Sequence, residues 1–79
     1  MARLGELKMD QYIINDQPLQ NGAYEIHNIT KGCENLPIVK DQIVIGFFAT
    51  FDLAIKRARI NWPKEKIQGC PYCCHPFSN

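Results

Sequence analysis

The clearest period of apolar positions lies between Phe51 and Trp62. Phe51, Ala54, Ile55, Ala58 and Trp62 recur at the spacing of one helical face, and Lys56, Arg57 and Arg59 fall on the other side. Thr50 offers an N-cap oxygen, Asp52 puts negative charge in the first turn and Pro63 stops the segment, so the pattern predicts a helix over residues 51–62. The aromatic members of this stripe, Trp62 included, read as packing. Upstream, Ala23-Tyr24-Glu25-Ile26-His27 alternates at the strand period, and Tyr12-Ile13-Ile14 is a second β-prone run. The two predict a hairpin whose loop, residues 15–22, is longer than a tight turn and ends in Asn21-Gly22, a pair suited to left-handed turn geometry. Alternation sets Tyr24 and Ile26 on the core face and Glu25 and His27 on the opposite one, so His27 is expected to emerge at the strand's end, away from the core.

Gln42-Ile43-Val44-Ile45-Gly46-Phe47-Phe48 is apolar at nearly every position, the pattern of a strand covered on both faces. The cysteine-rich tail is the expected cover, with self-association as the alternative. These elements predict an α+β fold: a small antiparallel sheet of two or three strands packed against one helix, with a C-terminal cysteine knuckle. A single domain over residues 1–79 is expected, residues 1–10 forming a loose N-terminal arm because they show no period.

Composition narrows the class. With 79 residues, 46% hydrophobic, 22% charged and a formal net charge of +1, the chain lies in the ordinary globular range and away from disorder. Its N-terminus lacks the apolar run of a signal peptide, and no stretch approaches a membrane span, so a cytoplasmic location is expected. In that reducing setting four cysteines are more readily ligands or redox thiols than a disulfide framework. Charge is uneven: residues 1–52 carry four basic and seven acidic side chains, a balance of −3, against five basic (Lys56, Arg57, Arg59, Lys64, Lys66) and Glu65 alone afterwards, a balance of +4. A basic stripe beside a cysteine knuckle admits a nucleic-acid-binding reading. The exposed face and last turn of a helix account for the same charges through the macrodipole.

The chemistry gathers in Gly69-Cys70-Pro71-Tyr72-Cys73-Cys74-His75 and in the upstream His27 and Cys33. A Cys-x-x-Cys turn presents two thiolates to one ion, and a structural zinc takes four nitrogen or sulfur ligands in a tetrahedron. Cys70 and Cys73 therefore form one half of a candidate site, and His27 with Cys33 the other if the tail folds back on that strand. Cys74 and His75 are alternatives for the same positions. Zinc is the expected cofactor, because apparent binding energies of about 10–16 kcal/mol outweigh the roughly 2–4 kcal/mol of a disulfide in closing so small a core. A dithiol switch at Cys70, Cys73 or Cys74 is the rival chemistry. Cys70-Pro71-Tyr72-Cys73 resembles the glutaredoxin motif, but the six residues that follow leave no room for the helix that activates the first thiol there. Neither an orienting third group nor an oxyanion donor accompanies a Cys-His pair, so no catalytic residue is assigned and a non-enzymatic protein is expected.

Asn21-Gly22-Ala23-Tyr24-Glu25-Ile26-His27, Gly32-Cys33-Glu34-Asn35-Leu36-Pro37, Ile45-Gly46-Phe47-Phe48, the Ala54 and Ala58 helix and Gly69-Cys70-Pro71-Tyr72-Cys73-Cys74 together resemble a family of small, functionally uncharacterised bacterial proteins, over residues 12–75. The same order of a strand-end histidine, a nearby cysteine, a short helix and a closing Cys-x-x-Cys is similar, more distantly, to the small metal-binding domains of some nucleases and of the Ada DNA-repair protein. Both likenesses imply a metal site and leave activity open. The chain departs from the first family at Phe51 and over residues 76–79, where members carry further cysteine and histidine residues. That leaves His27, Cys33, Cys70 and Cys73 as the ligand set the resemblance implies. A zinc-binding module acting through protein contacts is the expected function, its partner unspecified.

Overall fold

A computed structural model describes residues 8–74 of the chain. The expected hairpin forms from β1 (Asp10–Asn15) and β2 (Tyr24–Asn28), antiparallel with Tyr12 opposite Asn28, Ile13 opposite His27 and Ile14 opposite Ile26. Asn21 Oδ1 accepts from the Ala23 backbone N–H at 2.9 Å, and Gly22 takes the left-handed φ of +86° that the turn requires. β1 starts at Asp10, one residue inside the expected arm; residues 1–7 of that arm lie outside the described residues.

β3 (Gln42–Phe48) pairs antiparallel with the other edge of β1, its register shifted by a bulge between Tyr12 and Ile13. α1 (Phe51–Asn61) follows, capped as expected by Thr50, whose hydroxyl accepts from the Leu53 N–H at 3.3 Å. It then delivers β4 (Ile67–Gly69), which runs parallel to β2 with Tyr24 opposite Ile67 and Ile26 opposite Gly69. Among the described residues the sheet therefore has four strands in the order β3-β1-β2-β4, against the two or three expected, and is mixed rather than wholly antiparallel. Parallel neighbours need a crossover, and β3 with α1 supplies it. Three residues ending in glycine are too short to show a period, which is why β4 leaves no pattern in the sequence.

One face of the sheet carries the core. Tyr12, Ile14, Ile26 and Ile67 meet Ala54 and Ala58 of α1, and Cys70, Cys73 and Cys74 complete the cluster. Tyr24, Ile45, Phe48, Phe51, Ile55 and Trp62 pack around it, so the helical stripe buries as its spacing predicts. Each fully buried isoleucine contributes roughly 1.5–3 kcal/mol. On the other face Ile13 is buried beside His27, its cross-strand neighbour, but Val44 and Phe47 remain 57% and 59% exposed. As far as Cys74, the tail thus does not cover the second face of β3. That strand lies at one edge of the sheet, and the knuckle grows from β4 at the opposite edge.

Candidate metal centre

Strand pairing brings the knuckle to the histidine. The Cys70 N–H donates to the Ile26 carbonyl at 2.9 Å, extending the β2–β4 ladder by one step and setting the tail beside His27. The Cys74 N–H then donates to the Cys70 carbonyl at 2.8 Å, closing the turn that swings Cys73 inward. Gly69 is pressed against α1: a Cβ there would lie 2.6 Å from Phe51 Cζ and 3.2 Å from Cys74 Cβ. Any side chain at this position would have to displace the edge of the Phe51 ring.

Cys33 arrives from the other side on the turn that follows β2. Asn28 organises this turn. It is buried, its Oδ1 accepts from the Lys31 N–H at 2.9 Å, its Nδ2 donates to Asp10 at 2.9 Å, and its carbonyl accepts from the Gly32 N–H at 3.2 Å. Thr30 Oγ1 accepts from the Gln11 N–H at 2.8 Å, which ties the same turn to β1.

The result is a group of four side chains, His27, Cys33, Cys70 and Cys73, whose donor atoms all lie within 4.8 Å of one another. Cys33 Sγ and Cys70 Sγ are 3.7 Å apart, and Cys73 Sγ is 3.5 Å from His27 Nδ1. With zinc–sulfur bonds of about 2.3 Å, the edge of a regular tetrahedron is about 3.8 Å, so these separations fit one ion held by all four. All four cysteines are free thiols.

Hydrogen bonding separates the thiols into two kinds. Cys33 Sγ accepts from the Asn35 N–H at 3.4 Å, Cys70 Sγ from the Tyr72 N–H at 3.4 Å, and Cys73 Sγ from the Asn28 N–H at 3.3 Å. An amide pointed at sulfur favours the thiolate, the form that binds metal. Cys74 does the reverse and donates its S–H to the Ile26 carbonyl at 3.3 Å, which requires the proton to stay. Cys74, one of the alternative ligands, is therefore a core residue here, while His75, the other, lies outside the described residues.

Burial sets the remaining electrostatics. Desolvation pushes the Cys70 and Cys73 thiols up from their ordinary range and Cys74 up to about 11, and it pushes His27 down, keeping the imidazole neutral. Neutral imidazole is the ligand form, and a bound dication reverses the thiol shifts by stabilising thiolates directly. His27 is fully buried rather than emerging at the strand's end, because Cys33 and Cys73 close over it. Among the described residues its Nε2 has no hydrogen-bond partner; Glu25 Oε1 lies 3.3 Å away but outside hydrogen-bond geometry. A small rotation of either side chain would complete an imidazole–carboxylate contact of the kind that fixes ligand histidines. Burial also raises the Glu25 pKa.

Sequence reasoning missed Asn28 and the facing role of Glu25. The first had a signal, an asparagine closing a strand just ahead of the cysteine loop; the second followed from alternation, which already placed Glu25 on the face of His27. The class this site and fold define is a small α+β domain with a Cys3His group able to hold a metal ion. Comparison with protein-family models, with curated proteins and with solved structures gives no match, so the chemistry of the site rests on its own residues.

Proposed function

We propose that the chain is a zinc-binding module in which His27, Cys33, Cys70 and Cys73 hold one structural ion and the folded surface acts through protein contacts. The observation that carries this reading is the division of the thiols: each of the three clustered with His27 accepts a backbone N–H, and the fourth donates its S–H to a carbonyl. Three sulfurs and one imidazole in a tetrahedron suit zinc before harder metals. Four protein ligands fill the coordination sphere and leave no position for a reactive water, which supports a non-enzymatic role. Unpaired thiols support a reducing, cytoplasmic setting. The likeness to the small bacterial proteins and to the Ada-type domains is proposed on the same ligand spacing. Protein contact is supported by the edge strand β3, which has no charged residue in Gln42–Phe48 and exposes Val44 and Phe47.

A nucleic-acid partner is the second reading, favoured by the outward exposure of Lys56, Arg57 and Arg59 on α1. It requires binding that weakens with salt and with R57A/R59A; salt-independent binding removes it. The thiol switch has less support, because burial raises the Cys70, Cys73 and Cys74 thiols where a reactive thiol needs a lowered pKa. No helix among the described residues is long and apolar enough to cross a membrane.

Native mass spectrometry of the reduced protein, purified without added metal or chelator and paired with elemental analysis, tests the main reading. One zinc per chain is expected, and its loss in Cys33→Ser. A bare mass that stays bare when zinc is supplied would overturn it.

A further inference from the structure

A cleft of about 230 Å³ opens at the end of the sheet away from the cysteines, lined by Ile14, Asn15, Asp16, Tyr24, Ile43, Trp62 and Glu65. Ile14 and Ile43 are cross-strand partners and give it an apolar floor. Tyr24 and Trp62 add two aromatic rings, and Asp16 and Glu65 add two carboxylates at exposed positions. Neither carboxylate is ion-paired among the described residues. Lys64 and Lys66 flank Glu65 in the chain but do not line the cleft.

The lining is held in place by backbone bonds. The Asp16 N–H donates to the Asp41 carbonyl at 2.8 Å, fixing the exit of β1 to the entrance of β3. The Tyr24 N–H donates to the Lys66 carbonyl at 2.8 Å, and the Glu65 N–H to the Trp62 carbonyl at 3.2 Å, fixing the turn after α1 to the start of β2. Lining atoms from four segments are thereby positioned before any ligand arrives.

Apolar floor, aromatic rings and carboxylates that are unpaired among the described residues attract the same kind of group. A cation on an aliphatic stem can lay the stem on Ile14 and Ile43, place its charge beside the rings of Tyr24 and Trp62, and pair with Asp16 and Glu65. An anion would meet repulsion from both carboxylates, and a neutral chain would gain the floor and the rings but no charge pairing. The volume falls below the roughly 300–1,000 Å³ of cofactor and drug-sized sites, which suits one side chain. We propose that this cleft binds an organic cation, a guanidinium or ammonium group on an alkyl stem, as presented by an arginine or lysine of a partner protein. The site lies at the opposite end of the sheet from His27 and uses none of the proposed metal ligands.

Trp62 is the chain's one tryptophan, so its fluorescence reports on the cleft directly. The protein as purified is titrated with n-butylguanidinium chloride, with sodium chloride matching the ionic strength and n-butanol as the neutral control. Expected is a saturable change in Trp62 emission with a Kd on the order of 1–30 mM, the range open to so small a fragment. The double substitution Asp16→Asn and Glu65→Gln, at exposed positions that leave the floor intact, is expected to weaken binding about tenfold, as loss of charge-assisted hydrogen bonds implies. No saturable response up to about 100 mM, well beyond that fragment range, overturns the proposal. So does an equal response to n-butanol, or a double variant that binds as tightly as the parent.

Discussion

Cys73 and Cys74 are neighbours in the chain, yet the first sulfur accepts a hydrogen bond from Asn28 and the second donates one to Ile26. The distinction is decided by which side of the closing turn each faces, and sequence spacing alone could not make it. Replacing Cys74 by alanine should therefore leave one zinc per chain and cost about 1–2 kcal/mol through a lost hydrogen bond and a small void, read by chemical unfolding of the loaded protein. Replacing Cys73 by serine should abolish stoichiometric zinc. If the two variants retained metal equally, the ligand assignment would fail. Glu25 offers a finer test. Its carboxylate lies 3.3 Å from His27 Nε2, which has no hydrogen-bond partner among the described residues, so Glu25→Ala should weaken zinc on the order of 10–100-fold in competition with a chromophoric chelator while leaving the stoichiometry at one. An unchanged affinity would mean that the contact does not form in the loaded state.

Among the elements, those with a periodic or continuous apolar pattern were legible: α1 and its Thr50 cap, the extent of β3, and the β1–β2 pairing all follow from local pattern. β4 was not. It exists because α1 returns the chain alongside β2, and that tertiary fact carries no three-residue signature. The same pairing decides the site, since the approach of the tail to His27 had to be assumed from sequence and is explained by the ladder from Tyr24–Ile67 to the Cys70 N–H. Alternation placed His27 on the correct face but could not show that two cysteines from distant segments would bury it. The tightest junction in this arrangement is between Gly69 and Phe51. Gly69→Ala forces the Phe51 ring to move and crowds Cys74, and should lower stability by about 1–3 kcal/mol while also loosening the metal. Thermal melts with and without zinc measure both effects; a variant as stable as the parent would show that Phe51 yields freely.

For the molecule as a whole, the core between sheet and helix is modest. Its buried aliphatic residues are few, two of its helix contacts are alanines, and three of its members are cysteines. A domain of this size has little stability to spare, so an ion that joins the turn after β2 to the tail after β4 should dominate its folding equilibrium. Removing zinc by chelation should lower the melting temperature on the order of tens of degrees, and stoichiometric zinc should restore it. A melt indifferent to chelator would make the cluster an ordinary set of buried thiols. The most direct test of the centre itself is X-ray absorption at the zinc edge of the loaded protein. Expected is a shell of three sulfurs at about 2.3 Å and one imidazole nitrogen at about 2.0 Å. Four sulfurs with no imidazole would enlist Cys74 and contradict the assignment, and a shell dominated by oxygen would remove the centre altogether.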